Sequence, residues 1–359
     1  MPLDHSEAIS RDELQLAARN HGLPLEVLRE PLTPVGLHYT LIHYDIPAVD
    51  VAAWRLTVDG AVGQQLSLSL EELRTRARVT APVTFECAGN GRALLAPRPI
   101  SQPWLVEAVG TAEWTGTPLG PLLQEAGLED AAVELLFTGL DRGVEGGEPQ
   151  SYQRSLARPD ALAGEVMLAY EMNGEPLPPQ HGFPLRLVVP GWYGMTNVKW
   201  LSAITALTQP FEGYQQATAY RVHTEEGEPG EPVTRMMPRA LMVPPGVPDF
   251  MKRERFVAPG PCRLEGRAWS GLAPVSHVEV STDGGASWDE ARLGGDDLGP
   301  YAWTAWAYEG WAPEPGSYEL RCRATDSAGN EQPEDPPWNF KGYANNSPHS
   351  VTVTVQEGA

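Results

Sequence analysis

Phe85-Glu86-Cys87-Ala88-Gly89-Asn90-Gly91-Arg92 is the stretch on which the reading of this chain turns. The apolar run at residues 83–86 reads as a strand, and a Gly-Asn-Gly turn follows it directly. A cysteine at that junction is presented by the backbone at the mouth of a pocket. Arg92 lies close enough along the chain to favour a thiolate and to hold an anion. Such a thiolate is a nucleophile or a ligand for a soft metal. By itself the segment reads first as a small buried thiol beside a turn, because free cysteine is among the most buried residue types.

Outward from this turn, helices and strands alternate irregularly. Ser10-Arg11-Asp12-Glu13 spells a capping box ahead of a helical run that Gly22 can close. Strand-like runs follow at residues 38–46 and 54–58. Ser69-Leu70-Glu71-Glu72 opens a second short helix, and residues 119–126 form a third, stopped by Gly127. Apolar strand candidates lie at 83–86, 133–138, 185–189 and 199–207. This pattern predicts an α+β domain over residues 1–242. After a proline-crowded stretch at 243–249 nearly every signal is β. Residues 275–281 alternate, Asp283-Gly284-Gly285 supplies a hairpin turn, and residues 288–293 form the return strand. In 317–325, Tyr318, Leu320, Cys322 and Ala324 share one face. Short strands at this spacing predict an immunoglobulin-like β-sandwich over residues 243–359. Its tryptophans (Trp269, Trp288, Trp303, Trp306 and Trp311) are expected in the sandwich core and an apolar dimer interface.

Composition bounds the function. A chain of 359 residues is long enough for two cores. Its formal net charge of -21 argues against a nucleic-acid partner, which needs clustered Lys and Arg. No run approaches the roughly 20 apolar residues of a spanning helix, so no membrane role is expected. The polar, acidic N-terminal stretch 1–30 carries no apolar signal core, which predicts a cytoplasmic protein. Three irregularly spaced cysteines make neither a disulfide framework nor a zinc cluster, and Cys262 and Cys322 are expected as free buried thiols.

A second informative segment runs from His181-Gly182-Phe183-Pro184-Leu185-Arg186 through Val188-Val189-Pro190-Gly191-Trp192-Tyr193-Gly194 to Val198-Lys199-Trp200-Leu201. Its His, Arg and Lys stand at the edges of apolar strands separated by glycine turns. That arrangement can bind a phosphate through charged side chains and exposed N–H groups. Solvated loop ends would read the same way, and periodicity alone does not bring Cys87 and His181 together.

Together the two segments resemble the sulfite oxidase superfamily, whose signature at the metal is a Cys-Ala-Gly-Asn strand-turn. The resemblance continues through Leu168-Ala169-Tyr170-Glu171-Met172-Asn173-Gly174 and Val198-Lys199-Trp200-Leu201. It ends at Trp338-Asn339-Phe340-Lys341-Gly342 and Asn345-Asn346. The motifs keep the family's order from about residue 36 to 352. The resemblance implies a molybdopterin-binding α+β domain, a dimerisation sandwich and a molybdenum-molybdopterin cofactor. It also implies oxygen-atom transfer between the metal and a small substrate or water. Carried over, Cys87 is the metal ligand; His181, Arg186 and Lys199 hold the pterin and its phosphate. Asp141 accepts the pterin's N–H groups, and Tyr39 and His43 belong to the N-terminal cofactor-contacting stretch. Arg92, Trp104 and Lys341 line the oxyanion pocket, and Tyr220 stands by the transferred oxygen, with Tyr214 as a competitor for that place.

Departures from animal-type sulfite oxidases lie in the anion pocket. Leu41-Ile42 replaces Arg-Asn before His43, Lys341 replaces an arginine, and Met195-Thr196-Asn197 differs before Lys199. Losing a bidentate arginine disfavours a sulfite dianion and favours a less charged substrate such as a sulfoxide or N-oxide. The chain has no b-type haem segment and no Cys-x-x-Cys-His motif, so electrons are expected to pass to or from an external carrier. The competing functions are a Cys-His thiol hydrolase using Cys87 and His181, and a non-enzymatic binding module built on the sandwich.

Overall fold

Both capping boxes spelled in the sequence form. In the computed structural model, which describes residues 8–225 and 227–358, Ser10 accepts from Glu13 N while Glu13 reaches back to Ser10 N. Ser69 and Glu72 do the same for the helix Leu70–Arg74. Each such cap is worth about 1 kcal/mol. The helix Leu119–Glu125 ends at Ala126, and Gly127 at φ 68° turns the chain away. The first seven residues of the acidic N-terminal stretch lie outside the described residues. No helix among the described residues is long and apolar enough to cross a membrane.

The front part is α+β, as expected, with two sheets. One runs Leu66–Leu68, Leu56–Gly60, Leu201–Leu207, Glu134–Glu145, Glu148–Ala157 in spatial order. Its apolar face packs under the helices Leu70–Arg74 and Leu119–Glu125 through Leu73, Leu119, Leu123, Phe137 and Ile204. The other runs Val79–Glu86, Val109–Pro118, Met167–Met172, Glu175–Pro176, with Arg186–Val188 added beside Met167–Met172. Residues 38–46 do not form the expected strand beyond a single bridge between His21 and Thr40. Their backbone is instead held by side chains: Ile42 N donates to Asn20 Oδ1, and Leu41 O accepts from Lys199 Nζ.

The C-terminal part is a β-sandwich. A sheet of Arg239–Met242, Leu264–Trp269, Thr304–Tyr308 and Arg292–Leu293 faces a sheet of six strands. Ala240, Leu264 and Trp306 from the first meet Val278, Leu320, Cys322 and Val353 from the second. The strand Arg239–Met242 belongs to this sandwich by its pairing with Leu264–Trp269, although a boundary at 242/243 would leave it in the front domain. The expected return strand 288–293 is split between the two sheets. Cys322 is buried in the core, Cys262 is half-buried, and both are free. Trp306 and Trp311 fill the sandwich core, but Trp269 and Trp303 do not. They join Leu28, Ala88, Tyr193, Tyr220 and Leu241 in a third apolar cluster between the two parts.

Candidate active site

Strand Val79–Glu86 pairs along its length with Val109–Pro118, which fixes where Cys87 emerges. Cys87 N donates to Ala108 O and Asn90 N to Cys87 O, each at 2.9 Å, closing the turn. Gly91 sits at φ 88°, and a Cβ there would lie 2.9 Å from Asn345 O, so only glycine fits. The C-terminal part grips this turn at several points. Asn345 Nδ2 donates to Gly91 O at 2.6 Å and Ala344 N to Ala88 O at 2.8 Å. Glu86, beside the cysteine, is ion-paired with Arg239 at 2.9 Å and accepts from Trp269 Nε1 at 2.9 Å. Asn90 Nδ2 also donates to Glu86 Oε1, and all four side chains are buried.

Burial pushes the Cys87 thiol up, while the Arg92 guanidinium and the Trp104 indole pull it back. Arg92 is fixed by donating from Nε to Lys341 O at 2.5 Å and from a terminal nitrogen to Gln102 O at 3.2 Å. Its guanidinium lies 5.2 Å from the centre of the Tyr343 ring.

Behind Cys87 an inner cleft gathers Tyr39, His43, Asp141, His181, Arg186 and Lys199, all singled out in the sequence, together with His38. Asp141 is delivered by a register break in strand Glu134–Glu145. Gly182 at φ 107° turns the chain between His181 and Arg186. Arg186 donates to His181 O and Asn197 O and lies under Trp114, 4.7 Å from the ring centre. Lys199 donates to Leu41 O at 2.8 Å and Gln180 O at 3.2 Å. Desolvation dominates the titration here: His181 is held down at about 2, His38 at about 4 and Lys199 at about 7, while Asp141 is pushed up to about 6.

Several polar atoms of this cleft are buried without a partner: His38 Nε2, His181 Nε2, Asp141 Oδ1 and Arg186 Nε. Each such atom costs about 1–3 kcal/mol. A ligand carrying both a phosphate and ring N–H groups would satisfy them, the phosphate at Lys199, Arg186 and the imidazoles, the N–H groups at Asp141. Among the described residues no group of three or more His, Cys, Asp or Glu could hold a metal by itself. Cys87 as a single protein thiolate suits a metal brought in by its own sulfur-donating pterin. The residues present therefore fit the cofactor.

Cys87, Leu41, His43 and Tyr220 also face an outer cavity of about 300 Å³, reached by Arg92 and Trp104. Tyr220 OH and His43 Nε2 are 2.5 Å apart, and the Tyr152 ring packs 4.6 Å from the imidazole. Burial holds His43 neutral and raises the Tyr220 phenol well above its ordinary value. Tyr220 lines both spaces and Tyr214 lines neither. Lys341 departs from expectation. Its side chain is exposed, and its backbone carbonyl, not its ammonium, reaches the site by accepting from Arg92. His38, Tyr152, Tyr343, Gln102 and Arg19 were not singled out in the sequence. Each reaches the site through long-range packing that leaves no local motif.

Comparison with known proteins agrees with this geometry. An oxidoreductase molybdopterin binding domain matches residues 43–215, and a Mo-co oxidoreductase dimerisation domain matches residues 238–356. The chain is thus a molybdopterin-dependent oxidoreductase. Sulfite oxidase of Gallus gallus is 37% identical over 344 residues, covering 91% of this chain and 74% of that protein. The mitochondrial sulfite oxidase of Homo sapiens is 36% identical over 358 residues, covering 92% of this chain and 63% of that protein. The crystal structure of the sulfane dehydrogenase SoxCD from Paracoccus pantotrophus superposes with a TM-score of 0.80 at 25% identity, covering 99% of this chain and 95% of that one. The chain belongs to the sulfite oxidase family, uses molybdenum-molybdopterin and catalyses oxygen-atom transfer. A thiol hydrolase is not supported: His181 Nε2 has no hydrogen-bond partner, so it does not activate Cys87.

Proposed function

We propose that this enzyme exchanges an oxygen atom with a substrate whose reacting end is neutral, a sulfoxide or N-oxide or their reduced counterparts, rather than with free sulfite. The observation that carries this is Leu41, which lines the cavity beside Cys87 where a sulfite pocket would present an arginine. Lys341 does not replace the lost charge, since its side chain is exposed. In the reductive direction a sulfoxide takes up a pair of electrons and a pair of protons and leaves as the thioether, its oxygen departing as water. Both electrons come from an external carrier.

When bound, the molybdenum cofactor supplies the two-electron change and the site at which oxygen is exchanged. The chain does the rest. Cys87 holds the metal, and the Trp104 indole N–H favours its thiolate form. Arg92, pinned through two of its nitrogens, orients the polar head of the substrate. Tyr220 and His43 share one short hydrogen bond, so either can present a proton to the transferred oxygen. His38, His181, Arg186, Lys199 and Asp141 hold the pterin.

The dimerisation domain supports a homodimer, and the two-sheet sandwich supports an immunoglobulin-like topology for it. A cytoplasmic location is consistent with three free thiols. The test is molybdenum and pterin analysis of purified protein, followed by kcat/KM for sulfite against dimethyl sulfoxide and trimethylamine N-oxide, with dye acceptors or donors. A higher kcat/KM for sulfite than for either neutral compound would overturn the substrate reading.

A further inference from the structure

The first helix does more than cover the front domain. Its C-terminal end is fastened to the active-site entrance by Asn20, which donates to Gln102 Oε1 at 3.0 Å and accepts from Ile42 N at 2.7 Å. The bridge between His21 and Thr40 continues this attachment. Arg19, one residue earlier, donates to His43 O at 3.2 Å and lines the outer cavity with Leu41 and Arg92. Among the described residues no carboxylate lies within ion-pair reach of Arg19. Glu145, the acidic residue lining the same cavity, accepts from Tyr44 OH and Gln215 Nε2 instead.

Position along the cavity follows from burial. Cys87 is 7% exposed and borders both the inner cleft and the outer cavity. Arg19 is exposed and borders the outer cavity alone. Leu16, Leu41 and Ile42 contribute apolar side chains to the lining of the same outer cavity. Position 41 thus offers no cation to the cavity; Arg92 is the cation beside Cys87, and Arg19 adds a second one at the rim. The chain's net charge of -21 repels anions at long range, so a local cation is needed for any anionic group to settle here.

We propose that Arg19 is a specificity-determining residue that binds an anionic group at the outer end of the substrate. The substrate class is then an organic sulfoxide, N-oxide or reduced counterpart that carries a carboxylate or similar anion, separated from the reacting atom by an apolar spacer. This rests on the neutral-head reading of the same site.

The test compares 3-(methylsulfinyl)propanoate with its uncharged amide, using wild-type holoenzyme and the Arg19→Gln and Arg19→Lys variants. Binding is measured by calorimetry at low ionic strength, and turnover with a reduced viologen. Wild type should bind the acid about five- to tenfold more tightly than the amide, in keeping with a partly exposed charge pair. Arg19→Gln should abolish that preference and Arg19→Lys should retain part of it. An acid-to-amide ratio unchanged by Arg19→Gln, or an acid that does not bind wild type, overturns the proposal. Preferential binding of the acid without reduction of either compound leaves Arg19 in its role and overturns the neutral-head reading instead.

Discussion

Arg239→Met should unfasten the cysteine turn from the C-terminal domain. The Glu86 carboxylate would remain buried at 2% exposure, having lost its ion pair but kept the donors Asn90 Nδ2 and Trp269 Nε1. Breaking a buried pair from one side costs about 3–5 kcal/mol, and the two surviving donors place this case near the lower end. A loss of about 3 kcal/mol is about a 150-fold change in the unfolding equilibrium. Glu86→Gln strands the Arg239 cation at 1% exposure and should cost a comparable amount. The double variant buries no charge, so its cost should fall short of the sum by at least about 2 kcal/mol. The assay is urea denaturation of cofactor-free protein followed by tryptophan fluorescence, with Trp269 reporting from the contact itself. Molybdenum retention in the holoenzyme should fall in parallel with stability. Strict additivity of the two single changes, or single costs below about 1 kcal/mol, would refute the claim that this pair holds the domains together.

Further outcomes follow from the site. Cys87→Ser should leave the urea midpoint nearly unchanged and retain pterin but abolish turnover, which cofactor analysis alongside kinetics will check. Lys199 is pushed down to about 7 by burial, so a bound phosphate must restore its proton. Cofactor affinity should then fall about tenfold per pH unit above 7, and Lys199→Arg should flatten this dependence in a reconstitution titration. Leu41→Arg should raise kcat/KM for sulfite about ten- to a hundredfold, the worth of one charged hydrogen bond. Lys341→Arg should add little, because its side chain is exposed.

What the sequence disclosed and what it hid divide along physical lines. The two capping boxes and the Cys87 turn are local, since their partners lie within a few residues and local preference is enough to form them. The family motifs located the members of the inner cleft, and their arrival in one place required the fold. Lys341 shows the limit of a motif, which fixes a position along the chain but not the direction of a side chain. No local pattern marks His38, because its strand-like segment is held not by a sheet but by the distant side chains of Asn20 and Lys199. Arg19 lies at the C-terminal end of its helix, and its place at the cavity depends on Asn20, whose contacts with Gln102 and Ile42 are long-range.

The grip on the cysteine turn also bears on how such chains can be recombined. Arg239, Trp269 and Asn345 come from three separated parts of the second domain, yet all converge on six residues of the first. A chimera that exchanged the sandwich for a relative's would have to import all three contacts together. Inheritance of the two halves is thereby tied: a change in Glu86 selects for a matching change some 150 residues downstream, and domain shuffling across this junction is confined to partners that already carry the complementary set.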